Sequence, residues 1–228
     1  MSIPISKRLY VIDNSRDLSL KELFTGHDEI HYLWTGENLG FGKGHNLILD
    51  KLESSSKFHI ILNPDISFQS DAVMELMNYA KDKEEIGIVA PLVEFPNGQI
   101  QYSFRRNPKP FDLIIRRVPF LKQIFKRRYQ YSHYLYKDLS KPFLVDSVMG
   151  CFQMFRTSVF KSINGFDDRY FMYMEDIDIC RKVYENDFEV VIYPHVKIIH
   201  HLEQGSATSF KLFKIHVQSA FRYFKKWS

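Results

Sequence analysis

The sequence has few cysteines and tryptophans, and it contains no long apolar run. The 2 cysteines, Cys151 and Cys180, lie far apart and form no C-x-x-C pair. This spacing excludes a disulfide framework and a cysteine-built zinc site, and it fits a reducing compartment. No run of 18 or more apolar residues is present, so no segment is predicted to span a bilayer. The first eight residues also lack the apolar stretch of a secretion signal, and we therefore expect a cytoplasmic protein.

The composition that remains is that of a folded chain. Apolar residues make up 45% of the 228 residues and charged residues 25%, which is enough apolar surface to bury a sizeable core. This length corresponds to one domain, or to two small ones at most. Aromatic residues reach 15%, almost all of them Phe and Tyr. Disorder is therefore not expected.

The net charge of +4 is unevenly distributed along the chain. Residues 101–130 sum to +8 and residues 205–228 to +5, so the remainder carries −9. An acidic body with two basic, aromatic segments predicts a cation-dependent site in one place and an anionic surface partner in another. Nucleic acid is a poor candidate for that partner, because no known nucleic-acid-binding module is present.

Short apolar runs alternate with helical patterns in the first hundred residues. Four such runs are predicted to be buried strands, and Asp71 can cap a helix that follows the third. This alternation predicts an α/β fold with a doubly wound, mostly parallel sheet, in which ligands collect at the carboxyl ends of the strands. The four predicted strands are Leu9–Ile12, Ile30–Trp34, Phe58–Leu62 and Ile86–Val93.

The second half of the chain follows a different pattern. Residues 104–142 are basic, aromatic and interrupted by prolines, which predicts short helices and loops. Val145–Phe155 reads as a strand interrupted at Gly150, and two further strands are predicted over Glu189–Tyr193 and Val196–His200. Ser209–Trp227 is predicted to be an amphipathic helix. Its apolar stripe either packs on the domain or docks on a membrane, and it consists of Phe210, Phe213, Val217, Ala220, Phe221 and Phe224.

Three polar motifs at the predicted ends of elements carry candidate chemistry. Asp65, in Asn63-Pro64-Asp65, could hold Mg²⁺ or Mn²⁺ against a diphosphate, although Asn-Pro-Asp is also a common turn. Glu175-Asp176 begins a helix and could supply a general base, although an acidic cap is the more frequent role. His200-His201 closes a strand, where an imidazole could complete a metal shell or simply contact solvent.

The segment from Asn38 to Asn46 is a glycine-rich loop before a helix predicted over Asn46–Leu52. Such loops bind phosphates or let a nucleotide approach the backbone. The segment matches neither the P-loop nor the dinucleotide-binding fingerprint. Taken alone, it does not identify a ligand.

In their order along the chain, these motifs resemble the family 2 glycosyltransferases with the GT-A fold, and among them the bacterial rhamnosyltransferases of O-antigen and polysaccharide assembly. The resemblance covers residues 9 to about 226, and the segment from Asn164 to Arg181 is its most specific part. It implies one GT-A-like domain over residues 1–228, with a nucleotide-sugar half at 1–100 and an acceptor half at 101–228. The motifs are V-I-D-N-S, N-x-G-F-G-x-G-x-N, L-N-P-D-I, N-G-F-D with E-D-I-D, and I-I-H.

The resemblance assigns a role to each motif. Asp176 would be the catalytic base, with Glu175 as its neighbour beside the acceptor. Asp65 and His200 would hold the metal ion, with His201 as the weaker alternative to His200. Gly150 and Cys151 would lie beside the acceptor. The nucleotide sugar would be bound by Asp13, Asn14, Ser15, Asn38, Gly40, Asn46 and Asn63.

The implied reaction is an inverting single displacement that depends on a divalent metal ion. The donor would be a nucleotide sugar, with dTDP-rhamnose as the first choice and galactofuranose, galactose and glucose donors behind it. The acceptor would be a saccharide or a polyprenyl-linked saccharide of surface polysaccharide synthesis. Peripheral contact with the inner face of the cell membrane would follow, and residues 105–128 are the better candidate for it.

The chain has only eight residues before its first predicted strand, where the family has a further strand and a helix. Residues 1–8 cannot supply both, and Pro4 disfavours a central strand. We therefore expect two open strand edges within the sheet and a GT-A fold that is incomplete at the N-terminus. Poor or absent activity is one expectation, which leaves a non-catalytic sugar-nucleotide-binding protein as an alternative. A nucleotidyltransferase is a second alternative, although the N-terminal glycine-rich loop it needs is absent.

Overall fold

The computed structural model describes residues 5–201 and 210–228, which form an α/β arrangement. The strands are β1 (Leu9–Asp13), β2 (Ile30–Trp34), β3 (Phe58–Leu62), β4 (Ile66–Phe68), β5 (Ile86–Glu94), β6 (Ile100–Gln101), β7 (Phe104–Arg105), β8 (Phe143–Leu144), β9 (Ser147–Val148), β10 (Phe152–Arg156) and β11 (Glu189–His200). The helices are α1 (Phe41–Asn46), α2 (Ala72–Ala80), α3 (Pro110–Arg117), α4 (Pro119–Ile124), α5 (Lys126–Ser132), α6 (Thr157–Ser162), α7 (Glu175–Tyr184) and α8 (Phe210–Lys226). Short 3-10 turns occupy Lys21–Phe24 and Leu49–Lys51.

The central sheet has the strand order β3-β10-β5-β11-β4, and β6 and β8 extend it beside β5 and β11. β5 and β11 pair in parallel, whereas β10 is antiparallel to both β3 and β5. β3, β5 and β11 therefore run in the same direction, and the insertion of β10 makes most of the direct pairings antiparallel. The predicted α/β class is confirmed, and the position of β10 is the feature that the sequence did not reveal.

Helices cover both faces of this sheet, and β5 shows why. Its side chains alternate between two apolar clusters, with Ile88 and Leu92 in one and Val89 and Val93 in the other. The first cluster includes residues of α6 and α7, and the second includes the apolar face of α2. A strand that is apolar on both faces is typical of a sheet buried between helical layers.

β1 and β2 pair in parallel as a separate two-stranded sheet. Within the described residues, β3 is an edge strand of the central sheet and β1 pairs only with β2. Tyr10 and Ile12 of β1 nevertheless pack against the cluster that contains Ile61 of β3. Residues 1–4, and Pro4 among them, lie outside the described residues.

Several predicted boundaries differ from those observed. Helix α1 begins at Phe41, inside the glycine-rich segment, so the helix predicted over Asn46–Leu52 is wrong apart from a single 3-10 turn. The strands predicted over Glu189–Tyr193 and Val196–His200 form one strand, β11, with a register shift between Tyr193 and Lys197. The irregular register accounts for the break seen in the pattern. Asp71 precedes α2, as expected, but its side chain makes no capping hydrogen bond.

The C-terminal helix is present, but most of its apolar stripe does not pack on the domain; Phe224 is the member that packs in the cluster around Tyr223. Tyr223 and Ser219 form the buried side, and the Ser219 hydroxyl donates to the carbonyl of Met172 at 2.8 Å. Because residue 219 is small, the helix can approach the body closely along this side. Exposed positions of the stripe are Phe210 at 80%, Phe213 at 38%, Val217 at 51% and Phe221 at 70%. Ser209, where the helix was predicted to begin, lies outside the described residues.

No helix within residues 5–201 and 210–228 combines the length and the apolar character needed to cross a bilayer.

Candidate active site

A carboxylate and an imidazole meet beyond the end of strand β3. His200, the last residue of β11, is 2% exposed, and its Nε2 lies 3.2 Å from Oδ2 of Asp65. The side-chain oxygen of Gln101 lies 3.0 Å from Nδ1 of His200. Because an amide oxygen can only accept, Nδ1 of His200 donates to Gln101, and Nε2 faces Asp65. The interpretation of His200 as a solvent-exposed histidine is therefore wrong.

The Asp65–His200 pair presents buried polar atoms that could bind a cation. Oδ1 of Asp65 is buried and has no hydrogen-bond partner within the described residues, and the same holds for Nε2 of His200. In that part of the chain, no group of three or more His, Cys, Asp or Glu residues that could hold a metal is found. The two residues therefore fit an ion that completes its shell with substrate phosphates and water.

His201 is directed elsewhere. Its Nε2 lies 2.8 Å from the hydroxyl of Ser67, and its backbone N–H donates to the carbonyl of Asp65 at 2.8 Å. The exposed ring of His201 is thus held at the surface by β4, while its backbone fixes the turn that carries Asp65.

Glu175 and Asp176 begin helix α7, and the backbone before them is strained. Tyr173 and Met174 both have φ of 68°, in the left-handed region that side chains with a Cβ rarely adopt. Each such residue costs about 1–3 kcal/mol and persists only where the surroundings impose it. The strained turn places two buried carboxylates at the positive end of the α7 dipole, with Glu175 at 8% and Asp176 at 9% exposure.

The two carboxylates have different partners. Asp176 pairs with Arg105 of β7, whose Nη2 lies 2.9 Å from Oδ2. Oε2 of Glu175 is buried and has no hydrogen-bond partner within the described residues. Burial, and then the negative charge of Asp176, raise the pKa of Glu175 well above its ordinary value. The raised pKa favours the protonated form of Glu175, whereas Asp176 forms the ion pair with Arg105.

The segment Gly150–Cys151 connects these two carboxylates with the end of β3. The backbone N–H of Asn63 donates to the carbonyl of Cys151 at 3.0 Å, and a Cβ at Gly150 would lie 3.8 Å from Cβ of Asp176. Burial raises the pKa of the Cys151 thiol to about 12, and the charges of Asp176 and Asp65 both add to that shift. The Gly150–Cys151 segment thus links Asp176 with the turn that carries Asp65, two residues that are 111 positions apart in the sequence.

Gly150 is required by close packing at this point. A Cβ there would lie 2.9 Å from the ring of Phe41, so any larger residue would displace α1 or the segment beside Asp176. Gly150 and Cys151 therefore form the wall between α1 and α7. The inert, buried thiol of Cys151 is a packing group there.

Asp13, Asn14 and Ser15 lie together at the end of β1. Oδ1 of Asp13 accepts from the backbone N–H of Ser15 at 2.8 Å, and Oδ2 accepts from the hydroxyl of Tyr32. Burial acts to raise the pKa of Asp13, but these hydrogen bonds outweigh it and lower the pKa overall. The amide of Asn14 donates to the carbonyl of Gly40 at 3.1 Å, which joins this turn to the glycine-rich segment.

The glycine-rich segment packs against protein backbone. Asn38 accepts from the N–H of Gly40 at 2.9 Å, and Gly40 has φ of 85°. A Cβ at Gly40 would lie 2.1 Å from the carbonyl oxygen of Phe171, which leaves glycine as the one residue that fits. The backbone of Gly40 therefore packs closely against residues 166–171. This contact explains the glycine without a bound phosphate.

Asn46, which was predicted to line the sugar pocket, also holds two parts of the chain together. Its Nδ2 donates to the carbonyl of Phe166 at 2.8 Å and to Asp168 at 2.7 Å, and its Oδ1 accepts from the N–H of Phe166 at 2.9 Å. All of its amide atoms are thus bonded within the protein. Asn46 couples the glycine-rich motif to the N-G-F-D turn, whose Gly165 passes close to Oδ1 of Asn46.

The aspartates of two motifs clamp helix α8, a role that sequence reasoning missed. Asp178 is fully buried and accepts from Lys226 at 2.8 Å, Trp227 at 2.7 Å and Tyr170 at 3.1 Å. Lys226 also donates to Asp167 at 2.8 Å. Hydrogen bonds from Arg169 and then from Lys226 hold the pKa of Asp167 far below its ordinary value. The clamp explains Asp178, one of the three acidic residues in the first turn of α7.

Comparisons with known proteins agree with this arrangement. Residues 130–205 match the family model described as the N-terminal domain of galactosyltransferase. The rhamnosyltransferase WbbL of Escherichia coli K12 is 29% identical over 223 residues, which cover 95% of this chain and 81% of that protein. The chain is therefore similar in sequence to a rhamnosyltransferase. An N-acetylglucosaminyl-diphospho-decaprenol L-rhamnosyltransferase of Mycobacterium tuberculosis is 27% identical over 77% of this chain and 60% of that protein.

Comparison with solved structures shows that the chain has the GT-A fold. The structure of GalNAc-T7 with UDP, GalNAc and Mn²⁺ superposes with a TM-score of 0.62 at 13% identity, over 87% of this chain and 38% of that one. The mannosyltransferase PcManGT of Pyrobaculum calidifontis, with GDP-Man and Mn²⁺, gives a TM-score of 0.59 at 13% identity, over 96% and 55%. The chain thus spans only about half, or less, of these two solved proteins.

Proposed function

We propose that the chain transfers L-rhamnose from dTDP-rhamnose to a lipid-linked saccharide, with inversion at the anomeric carbon. The names of the rhamnosyltransferase relatives support the sugar, and the diphospho-decaprenol relative supports the acceptor class. In this proposal, residues 1–100 bind the nucleotide sugar and residues 101–228 bind the acceptor. Asp13, Asn14, Ser15, Asn38, Gly40 and Asn63 would shape the donor side.

The observation that carries this proposal is the position of the Gly150–Cys151 segment, which lies beside Asp176 and is hydrogen-bonded to Asn63, two residues before Asp65. An inverting displacement needs one group at the leaving diphosphate and another at the attacking hydroxyl. These two groups must lie near each other but on opposite sides of the anomeric carbon. Asp65 with His200 fits the first role, and Asp176 at the start of α7 fits the second.

Asp176 would accept the proton of the acceptor hydroxyl. The hydroxyl oxygen then forms a bond to the anomeric carbon, and the bond from that carbon to the diphosphate breaks, so that nucleoside diphosphate leaves. The ion pair with Arg105 keeps Asp176 negatively charged and therefore able to accept a proton. Glu175, protonated and buried beside it, would hold the acceptor sugar through a hydrogen bond.

Asp65 and His200 would hold a divalent metal ion, which supplies positive charge against the leaving diphosphate when it is bound. The orphaned buried Oδ1 of Asp65 and the buried Nε2 of His200 fit this role. The Mn²⁺ in the two solved neighbours makes Mn²⁺ the first ion to test, followed by Mg²⁺. Gln101 would fix the His200 ring in the orientation that coordination needs.

A calorimetric titration with a panel of sugar nucleotides and Mn²⁺ tests the proposal. We expect dTDP-rhamnose to bind more tightly than UDP-galactose, UDP-glucose and GDP-mannose. Asp65→Asn is expected to weaken Mn²⁺-dependent binding by about 10- to 100-fold, because it removes a charged oxygen ligand.

Asp71→Asn is the matched control, because Asp71 is an exposed aspartate nearby whose side chain makes no capping bond. Its donor affinity should equal that of the wild type. Donor binding that is unchanged in Asp65→Asn, or binding that does not depend on a divalent ion, would contradict the assignment of Asp65. Failure of every sugar nucleotide to bind would contradict the donor side of the proposal as a whole.

We further propose that the enzyme docks on the inner face of the cell membrane through a basic apolar surface on α3, α4 and α8. Two observations join α3 and α8: the guanidinium of Arg117 lies 4.2 Å from the ring centre of Phe213, and Leu113 packs in the cluster around Tyr223. An anionic bilayer is the occupant that matches both the charge and the apolar groups. The exposed apolar members of the surface are Phe111, Ile114, Phe120, Ile124, Phe210, Phe213, Val217 and Phe221.

Sedimentation with vesicles tests the docking proposal. We expect the protein to sediment with vesicles that contain about 30% phosphatidylglycerol and to stay in solution with pure phosphatidylcholine, because the attraction comes from basic residues near anionic lipid. The variant Phe120→Ser/Phe221→Ser should lose most of this binding. Leu23→Ser is the control, since Leu23 is as exposed as Phe120 at 68% but lies outside the surface. Equal sedimentation with both kinds of vesicle would overturn the proposal.

A further inference from the structure

Basic side chains from three separate elements converge on Asp176. Arg105 comes from β7, Arg116 from α3 and His216 from α8. The charge of Arg105, followed by burial, lowers the pKa of Arg116 to about 10, and the charge of Asp176 acts in the opposite direction. Arg105 contacts Asp176 directly, with Nη2 2.9 Å from Oδ2, and Arg116 lies within the electrostatic field of both groups.

This cationic cleft, formed by Arg105, Arg116 and His216, holds more positive charge than Asp176 can balance. Arg105 uses Nη2 for Asp176, while its Nε is buried and has no partner within the described residues. Arg116 is half-buried and makes no hydrogen bond or ion pair within residues 5–201 and 210–228. Two like charges held together in a half-buried cleft are unfavourable unless an anion joins them.

His216 completes one side of the cleft as a neutral group. Burial, and then the charges of Arg116, Arg117 and Arg105, lower its pKa to about 4. Its ring stacks on that of Tyr173 with the ring centres 4.8 Å apart. A neutral imidazole can donate a hydrogen bond to an oxyanion without adding further charge repulsion.

The cleft is formed by other residues than the Asp65–His200 pair, where the leaving diphosphate of the donor is assigned. It lies beside the proposed base, and it borders the basic apolar surface, because Arg117 follows Arg116 directly and covers the ring of Phe213. An anion bound in the cleft would therefore have Asp176 on one side and the exposed apolar side chains of α3 and α8 on the other.

We propose that Arg105 and Arg116 bind the diphosphate of the lipid-linked acceptor, so that its sugar hydroxyl reaches Asp176 while its lipid lies along α3 and α8. This inference rests on the proposed function and specifies its acceptor side. A diphosphate offers several oxygens to paired guanidinium forks, which bind such groups bidentately. By engaging Arg105, the diphosphate also draws that cation from Asp176 at the moment when Asp176 must take a proton.

Calorimetric titration with farnesyl diphosphate tests the cleft. The protein is first saturated with Mn²⁺ and with the nucleoside diphosphate of the donor that binds in the panel, so that the donor side is filled. We expect farnesyl diphosphate to bind to this complex, and Arg116→Gln to weaken its binding by about tenfold or more. Arg116→Lys should retain part of the affinity, since it keeps the charge but loses the fork.

Arg127→Gln is the matched control, because it removes an exposed cation of the same basic segment outside the cleft. Its affinity for farnesyl diphosphate should equal that of the wild type. Thermal melting of each variant shows whether it is folded, and the nucleoside diphosphate affinity of Arg116→Gln should stay unchanged.

Three results would overturn the inference: no binding of farnesyl diphosphate to the saturated protein, competition between it and the nucleoside diphosphate for one site, or equal affinities of Arg116→Gln and the wild type. Failure of the nucleoside diphosphate to bind would instead count against the proposed function. In that case, titration of the free protein with farnesyl diphosphate and the same variants still tests the cleft.

Discussion

Replacement of Asp178 by alanine is expected to lower the free energy of unfolding by about 3–5 kcal/mol, the range found when one partner of a buried ion pair is removed. Asp178 is fully buried and is the shared acceptor for Lys226, Trp227 and Tyr170. Its loss leaves the ammonium group of Lys226 with Asp167 alone and leaves the two other donors without their acceptor. The midpoint of urea denaturation, followed by tryptophan fluorescence, measures this effect.

Two further variants separate the clamp from a general loss of charge. Asp178→Asn keeps an acceptor for Trp227 and Tyr170 but removes the charge opposite Lys226, so an intermediate loss is expected. Asp82→Ala removes an exposed aspartate and should change stability by less than about 0.5 kcal/mol. A stability of Asp178→Ala within that same margin would contradict the clamp.

The sequence predicted best the strands and helices in which the spacing of apolar residues follows directly from which side is buried. β2 and β3 have the predicted bounds, and α7 begins at Glu175 as expected, because strands buried in a sheet and a helix with one apolar face leave direct patterns. The insertion of β10 between β3 and β5 could not be predicted, because a pairing partner far along the chain leaves no trace in local periodicity.

Helix α8 shows a different limit. Its strongest apolar stripe was expected either to pack on the domain or to dock on a membrane, yet the face that packs is the one with Ser219 and Tyr223. Hydrophobicity alone does not select the buried face here, because the polar bonds of Ser219 and Lys226 to the body fix how the helix lies. Asp178, the second aspartate of E-D-I-D, was the signal that could have revealed this packing, because no catalytic role had been predicted for it.

The candidate site was predicted by residue type and order, while its electrostatics could not be predicted. The resemblance pointed to Asp65, Asp176 and His200, and the Gly150–Cys151 segment links Asp176 with the turn that carries Asp65. The pairing of Arg105 with Asp176 depends on a contact between residues 71 positions apart. Asn46 was expected in the sugar pocket, and its amide is bonded to the N-G-F-D turn, a contact that spans 120 residues.

Replacement of Asp176 by asparagine is expected to lower the rate constant for sugar transfer by about 10²- to 10⁴-fold, the usual contribution of a general base. Asparagine is nearly isosteric with aspartate but cannot accept the hydroxyl proton. Binding of the donor should be unchanged, because the donor diphosphate is assigned to Asp65 and His200. A fall in kcat with an unchanged donor affinity would separate loss of the base from loss of the site.

The most direct measurement is the rate of rhamnose transfer from dTDP-rhamnose to N-acetylglucosaminyl diphosphate linked to a short prenyl chain, with Mn²⁺ present. The account predicts turnover by the wild type, a product of inverted anomeric configuration by NMR, and loss of turnover in Asp176→Asn while calorimetry shows normal donor binding. Transfer by Asp176→Asn at the wild-type rate, or a product with retained configuration, would contradict the account.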